Sequence, residues 1–372
     1  MAARRRLLHR LNAQFRTLLP EIFVRRTQTL AMLVVGMLVS GSVSLAKVAS
    51  VVADGITDAS MARTLRRWIA NDGVDVEGIW AVLRPVLLAE ERGREVELVL
   101  DLTPHRKAFS VVVLGVVQHK RALPLAGRVV PQQTPWPCDF WEMVEEMTTG
   151  VATALPSGCD VTLLADRGLV SARLIDLCRR LGWHFVLRIN AGGSQSGRVI
   201  ELPEGEETEA WALVERLGRR GSAPGRLFKT AGWREGFLTV SWAARYHERW
   251  VLFSDLPGGC ARVRDYHKRW TIEAMFEDCK KRGWNLEASC LRDPERLSRL
   301  LLALHLLVWW LAQLGQRAIR HGERRRFDHP ARRAKALVQL GRRVAQARLD
   351  AKLLPVLPFS YHHGHWRYVR YS

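Results

Sequence analysis

Two strand-like segments that each carry an aspartate constrain this 372-residue chain most tightly. EVELVLDLTP (95–104) runs through Asp101, and VTLLAD (161–166) stops at Asp166, with Gly168 just beyond to permit a turn. A short continuous apolar run, without alternation, is the pattern of a strand buried on both faces. An ionised carboxylate in such a strand is costly unless a cation or hydrogen-bond donors meet it. Strand ends of α/β sheets are also where ligands bind. Around these segments lie AFSVVVLGVV (108–117), a third strand at Ala122–Val130 in which Pro124 marks an edge or a bend, a helix over Asp139–Leu155, a helix over Ser171–Leu181 and the strand HFVLRI (184–189).

That order, β-β-β-α-β-α-β, is the order of a ribonuclease H-like fold. The expected architecture is α/β: a mixed sheet with flanking helices, a β-rich insertion before the last helix of the site, and a helical N-terminal domain. The expected divisions are a helical, DNA-binding region over 1–90, a catalytic domain over 91–189 and 257–315, an insertion over 190–256 and a basic C-terminal region over 316–372. In the first region Leu30–Val39, Ser42–Val52 and Ala59–Ile69 are apolar-periodic, with Asp54-Gly55 as a break and Asp58 as N-cap of the third segment. Arg63, Arg66 and Arg67 on that segment suit a helix-turn-helix-like DNA module as well as a bundle with solvated arginines. Leu297–Leu314 reads as a very apolar, buried helix.

The formal charge of +20 calls for a polyanionic partner, and 48% hydrophobic residues support a real core. Residues 316–350 alone carry eleven Lys/Arg against three Asp/Glu, an excess of eight. The stretch Leu30–Val39 is too short to span a bilayer, so no membrane partner is expected. Gln28, Thr29 and the lack of an A-x-A site argue against an export signal behind Arg4, Arg5 and Arg6. The six cysteines include no C-x2-C pair, which disfavours zinc and a disulfide framework, and a reducing cytoplasm is expected. His362, His363 and His365 form a cluster that reads as a polar tail rather than a metal site.

The segment YHKRWTIEAMFEDCK carries Tyr266, Arg269, Glu273 and Lys280. On a continuous α-helix at about 100° per residue these fall at roughly 0°, 300°, 340° and 320°, within a stripe about 60° wide. An acid, two cations and a phenol on one face suit a site for metal and phosphate, which Asp101 and Asp166 would complete. Three carboxylates of this kind suit two Mg²⁺ ions, bound through hard oxygen ligands. Periodicity leaves the third acid open, because Glu277 falls on the same stripe at roughly 20°. Glu273 also stands four residues from Arg269, the spacing of an ordinary surface ion pair.

The spacing Y-x2-R-x3-E-x6-K resembles the signature of DDE transposases of bacterial insertion sequences, in the branch called family four. RWTIEAMFEDCKKRGWNLE, LVLDLT and LLADRG resemble its three conserved settings over about residues 95–315. The resemblance selects Glu273 over Glu277. It implies Asp101, Asp166 and Glu273 as catalytic metal ligands for Mg²⁺ (or Mn²⁺), two ions in all. It implies Tyr266, Arg269 and Lys280 as contacts to DNA phosphates. The implied activity is cleavage at transposon terminal inverted repeats and strand transfer into target DNA, by a homodimer in a synaptic complex in bacterial cytoplasm. In relatives a tryptophan of the insertion stacks on a flipped base during hairpin formation, with Trp233, Trp242 and Trp250 as candidates here. Two alternatives share these residues: a nuclease of the same fold without strand transfer, and a non-catalytic DNA-binding descendant.

Overall fold

In a computed structural model, the structure describes residues 2–22, 24–132, 139–191, 199–242, 249–280, 283–329 and 335–358. Five helices come first: α1 (Ala2–Leu18), α2 (Val24–Ser40), α3 (Leu45–Val52), α4 (Asp58–Ile69) and α5 (Val76–Leu88). Each buries one stripe. In α1 the stripe is Ala3, Leu7, Leu11 and Phe15, a four-residue repeat that keeps one face inward. In α4 Met61, Leu65 and Trp68 point inward while Arg63, Arg66 and Arg67 are exposed. Its N-cap is Thr57, not Asp58. The Thr57 hydroxyl accepts from the Ser60 N–H at 3.2 Å, and Asp58 becomes the first helical residue.

The sheet begins with β1 (Glu95–His105), β2 (Phe109–Gln118) and β3 (Arg121–Pro131), a double hairpin. After α6 (Phe140–Ala152) comes β4 (Asp160–Ala165), and after α7 (Ala172–Arg180) comes β5 (His184–Ile189). Asp139 and Ser171 cap the two helices. β4 lies parallel to β1, and β5 lies parallel to β4. The spatial order β3-β2-β1-β4-β5 is the ribonuclease H-like order that the strand pattern predicts.

The region from 190 to 256 contributes β6 (Val199–Glu201), β7 (Glu207–Glu209), a short α8 (Leu213–Leu217), β8 (Ser222–Leu227), β9 (Arg234–Ser241) and β10 (Trp250–Ser254). These strands do not make a separate layer. β10 pairs antiparallel with β5, and the order continues β10-β9-β8-β6-β7, giving one ten-stranded sheet. Pro124 lies on β3, at one edge of the sheet, opposite Gly115 where the register shifts, so the missing N–H and the bulge coincide.

Where one helix over Tyr266–Lys280 is expected, there are two, α9 (Cys260–His267) and α10 (Trp270–Cys279). Between them Lys268, Arg269 and Ile272 each donate to the carbonyl three residues back, at 2.9, 3.0 and 3.0 Å. That is a 3₁₀-type tightening of the chain. No proline or glycine stands there to announce it.

α11 (Pro294–Arg320) is long and apolar enough to cross a membrane, but it is a core helix, with 89% of its most apolar window buried. It packs on β3, on α2 and on α13 (Leu337–Asp350), which follows the short α12 (Arg324–Phe327). Trp309 Nε1 donates to the Pro124 carbonyl at 2.5 Å. The basic C-terminal region is thus partly structural: Leu337, Val338, Leu340, Val344 and Ala345 of α13 are buried while Arg343 is exposed.

α11 and α13 meet backbone to backbone at two glycines. A Cβ at Gly341 would stand 1.8 Å from the Leu311 carbonyl oxygen, and one at Gly315 would stand 2.3 Å from that of Leu337. Backbone atoms cannot swing aside as side chains do. Gly341→Ala is therefore expected to destabilise the chain by about 1–3 kcal/mol or more, against the small gain in helix propensity alanine normally brings. Denaturant unfolding of the two proteins measures the difference, and an unchanged or raised midpoint would refute the close approach.

Candidate active site

The register of the parallel pair β1 and β4 builds the site. Leu100 lies beside Ala165, so the next residues, Asp101 and Asp166, stand next to each other at the carboxyl edge of the sheet. Asp101 is enclosed: its side chain is 14% exposed. Its Oδ1 accepts from the Leu102 N–H at 2.8 Å and its Oδ2 from Arg269 Nη1 at 2.8 Å. Burial pushes the Asp101 carboxyl up to about 6, against the pull of Arg269 and the Leu102 N–H and with repulsion from Asp166 and Glu273 added.

Burial acts in the same direction on Asp166, but there it is outweighed. The Arg167 N–H, Arg269, the Tyr266 hydroxyl and Arg188 together hold the Asp166 carboxyl below the ordinary carboxylate value. Tyr266 donates its hydroxyl to Asp166 Oδ1 at 2.9 Å, and Arg188 Nη1 lies 3.8 Å from the same oxygen. Two neighbouring acids thus differ in proton affinity because their donors differ.

Arg269 occupies the turn between α9 and α10 and is 3% exposed. One amine binds Asp101, and the other donates to Glu273 Oε1 at 2.5 Å. The ordinary-looking i,i+4 pair is present, yet it is the half-exposed arm of a three-residue link between β1 and α10 centred on the buried Arg269. Lys280, just past α10, donates from Nζ to Thr103 Oγ1 at 2.6 Å and to the Pro104 carbonyl at 2.9 Å, near the end of β1. The structure therefore brings together Asp101, Asp166, Tyr266, Arg269 and Glu273, and ties Lys280 to the same strand. Glu277, one turn further along the same face of α10, is exposed.

Arg188, which the sequence reading passes over, and Trp250, which it names for another role, support this group. Arg188, a lone charge inside the apolar HFVLRI, reaches Asp166; like Asp101, it is an ionised group in a buried strand and needs an opposite charge. Trp250, the first residue of β10, packs edge-on against Tyr266 with ring centres 5.1 Å apart. Of the three candidate tryptophans of the insertion, Trp250 is buried, whereas Trp233 and Trp242 are half-buried with arginines over their rings. The histidine cluster at 362–365 and Cys138 lie outside the described residues. The described cysteines are all free thiols.

Asp101, Asp166 and Glu273 offer the hard oxygen donors that a divalent cation takes. Among the described residues no group of three His, Cys, Asp or Glu side chains converges closely enough to hold a metal ion. The physical reason is visible: a guanidinium lies between Asp101 and Glu273. The donor set fits a divalent ion in charge and chemistry, with Arg269 as the cation now bridging two of its members.

Residues 144–311 match the family described as the transposase DDE domain. The match spans α6 to α11 and includes Asp166 and Glu273, while Asp101 precedes it. No curated protein matches the chain. Among solved structures, the chain is similar to a piggyBac transposase in a synaptic complex with hairpin DNA, at 11% identity and a TM-score of 0.43, over 89% of this chain and 74% of that one. It is similar also to the C-terminal lobe of a budding yeast Argonaute, at 10% identity and a TM-score of 0.22, over 77% and 60%. Residues 144–311, set in a sheet of ribonuclease H-like strand order, thus resemble a transposase DDE domain. Enzymes with this domain generally use divalent metal ions.

Two outcomes follow from the electrostatics of α10. Arg269→Met is expected to cost about 3–5 kcal/mol, because it strands buried carboxylate charge. Combined with Asp101→Asn the loss shrinks, with a coupling of about 1–3 kcal/mol in a double-mutant cycle read by urea unfolding. Additive losses would exclude the link. On the buried side of α10, Asp278 is 3% exposed, and its Oδ2 lies 3.6 Å from Arg121 Nε. Burial pushes the Asp278 carboxyl up to about 6 despite Arg121, with Glu277 adding to the rise. The folded state thus holds this proton more tightly than the unfolded one. The resulting stability is present below about pH 4 and is lost as pH rises through about 6. Asp278→Asn should therefore gain up to about 1–3 kcal/mol on the parent between pH 4 and pH 7. A pH-independent difference in unfolding free energy would contradict this.

Proposed function

We propose that this chain is a transposase of the insertion-sequence, family-four type, which cleaves at the terminal inverted repeats of its element and joins the freed end to target DNA. The observation that carries the reading is the pairing of Leu100 with Ala165, which sets Asp101 beside Asp166 and within reach of the α9–α10 turn. In this reading Asp101, Asp166 and Glu273 are the metal ligands, for two Mg²⁺ or Mn²⁺ ions. A divalent ion held there supplies the Lewis acid for phosphodiester cleavage and transfer.

The chain's own residues prepare that chemistry. Tyr266 and Arg188 hold Asp166 anionic and oriented. Asp101, drawn toward its protonated form by burial, needs a cation at its free edge, and Arg269 provides one now. For Arg269 to reach a DNA phosphate, as the resemblance implies, it would exchange its carboxylate partners for the backbone anion, leaving Asp101 and Glu273 as the residues that would hold a divalent ion. Lys280, anchored to the end of β1, stands on the exposed side of the same group and offers its charge to the duplex. We further propose that two copies act together on two ends, in the bacterial cytoplasm, and that the helices of residues 1–90 contribute DNA binding.

The test is a cleavage and joining assay with a labelled duplex carrying the element's end and a plasmid target, in Mg²⁺ or Mn²⁺. Asp101→Asn, Asp166→Asn and Glu273→Gln should each lower end cleavage by about 10³-fold or more while duplex binding persists, on the scale of losing an essential catalytic group. Glu277→Gln should cleave like the parent. Full cleavage by Glu273→Gln would sink the assignment. Cleavage without joining of the 3′ end would leave a nuclease in its place.

A further inference from the structure

The insertion carries a second feature on the edge of the sheet that bears the acids. Strand pairing fixes where it lies. Ala165, at the end of β4, lies beside Leu187 of β5; Ile189 of β5 pairs with Val251 of β10; and Trp250 of β10 pairs with Ser241 of β9. The end of β9, the start of β10 and the carboxyl ends of β4 and β5 therefore share one edge. Trp242, the residue after β9, sits three strands across and three residues along from Asp166, or about 17 Å at the usual strand spacing and rise.

Two guanidinium groups lie over the Trp242 ring, that of Arg219 at 4.9 Å and that of Arg249 at 4.6 Å from its centre. Both arginines are exposed, and neither forms an ion pair among the described residues. Arg219 is also fixed through its backbone: its carbonyl accepts the Trp242 N–H at 2.9 Å, and the neighbouring Gly221 carbonyl accepts the Val240 N–H at 2.8 Å. The two positive groups are thus closer together than about one Debye length, at a strand end, with no carboxylate ion-paired to either among the described residues. A polyanion is what offsets that repulsion, and the arginine planes are held ready for phosphate by the indole.

We infer that Arg219 and Arg249, stacked on Trp242, form a clamp for the DNA backbone on the active edge of the sheet, gripping phosphates about five base steps from the acids at 3.4 Å per step. This rests on the transposase reading of the acids. It also gives Trp242 a role distinct from stacking on a base, since its ring already carries the two guanidiniums.

The experiment measures binding of the full chain to a fluorescent mixed-sequence DNA duplex by anisotropy over a series of KCl concentrations. Each lost phosphate contact should lower the slope of log affinity against log salt by about 0.9. Arg219→Gln with Arg249→Gln is expected to lower it by about two, and Arg249→Gln alone by about one, with thermal unfolding unchanged because both side chains are exposed. Arg219→Lys with Arg249→Lys should keep the slope, because the charges remain. A parental slope in the double Gln variant overturns the clamp while leaving the transposase reading intact. A parent that binds duplex without salt dependence overturns both.

Discussion

One buried guanidinium organises the catalytic half of this protein. Arg269 is almost fully enclosed, and a charge so placed costs several kcal/mol of lost hydration unless opposite charges meet it. Asp101 and Glu273 meet it, and they come from different parts of the chain: Asp101 from a central strand 168 residues before Arg269, Glu273 from the helix four residues after it. The converse dependence is equally strong. Asp101 sits in a strand where burial alone favours the neutral acid, and the guanidinium is its nearest cation. Strand, turn and helix are therefore held in register by charge as well as by apolar packing, and the position of α10 over the sheet is set at that point.

A second layer of positioning surrounds this link. Tyr266 reaches Asp166 only because α9 ends where it does, and it keeps its angle because Trp250 stands edge-on against its ring. Trp250 belongs to β10, so the inserted strands buttress the acids directly. The insertion is a continuation of the sheet and shares its twist and stiffness, which is why a feature at the end of β9 keeps a defined distance from the acids.

Much of this was legible in the sequence, for reasons that differ by residue. Asp101 and Asp166 stand out because an ionised group in or at the end of a buried strand must be met by a cation or by donors, and the strand–helix order then places them on adjacent strands. The break at Lys268–Arg269 was not legible, since a 3₁₀-type turn leaves no composition signal and helical arithmetic assumes a continuous ladder. Its consequence was equally hidden. The Arg269–Glu273 spacing looks like a surface pair, and only the tertiary fold shows that the other amine goes to Asp101. Arg188 carried the same signal as Asp101, and the C-terminal helix α13 was masked by its arginines, which line the outside of a helix whose inner face is apolar.

The two ends of the ten-stranded sheet bear on how the protein avoids aggregation. One end is β3, where Pro124 removes a donor, a bulge bends the strand, and α11, α10 and α5 lie against it. The other is β7, three residues long and bounded by Glu207 and Glu209. A short acidic strand and a covered, kinked one both resist the addition of a foreign strand. Among the described residues neither end offers a template on which a foreign strand could extend the sheet, so the ten strands stay shielded from edge-to-edge aggregation.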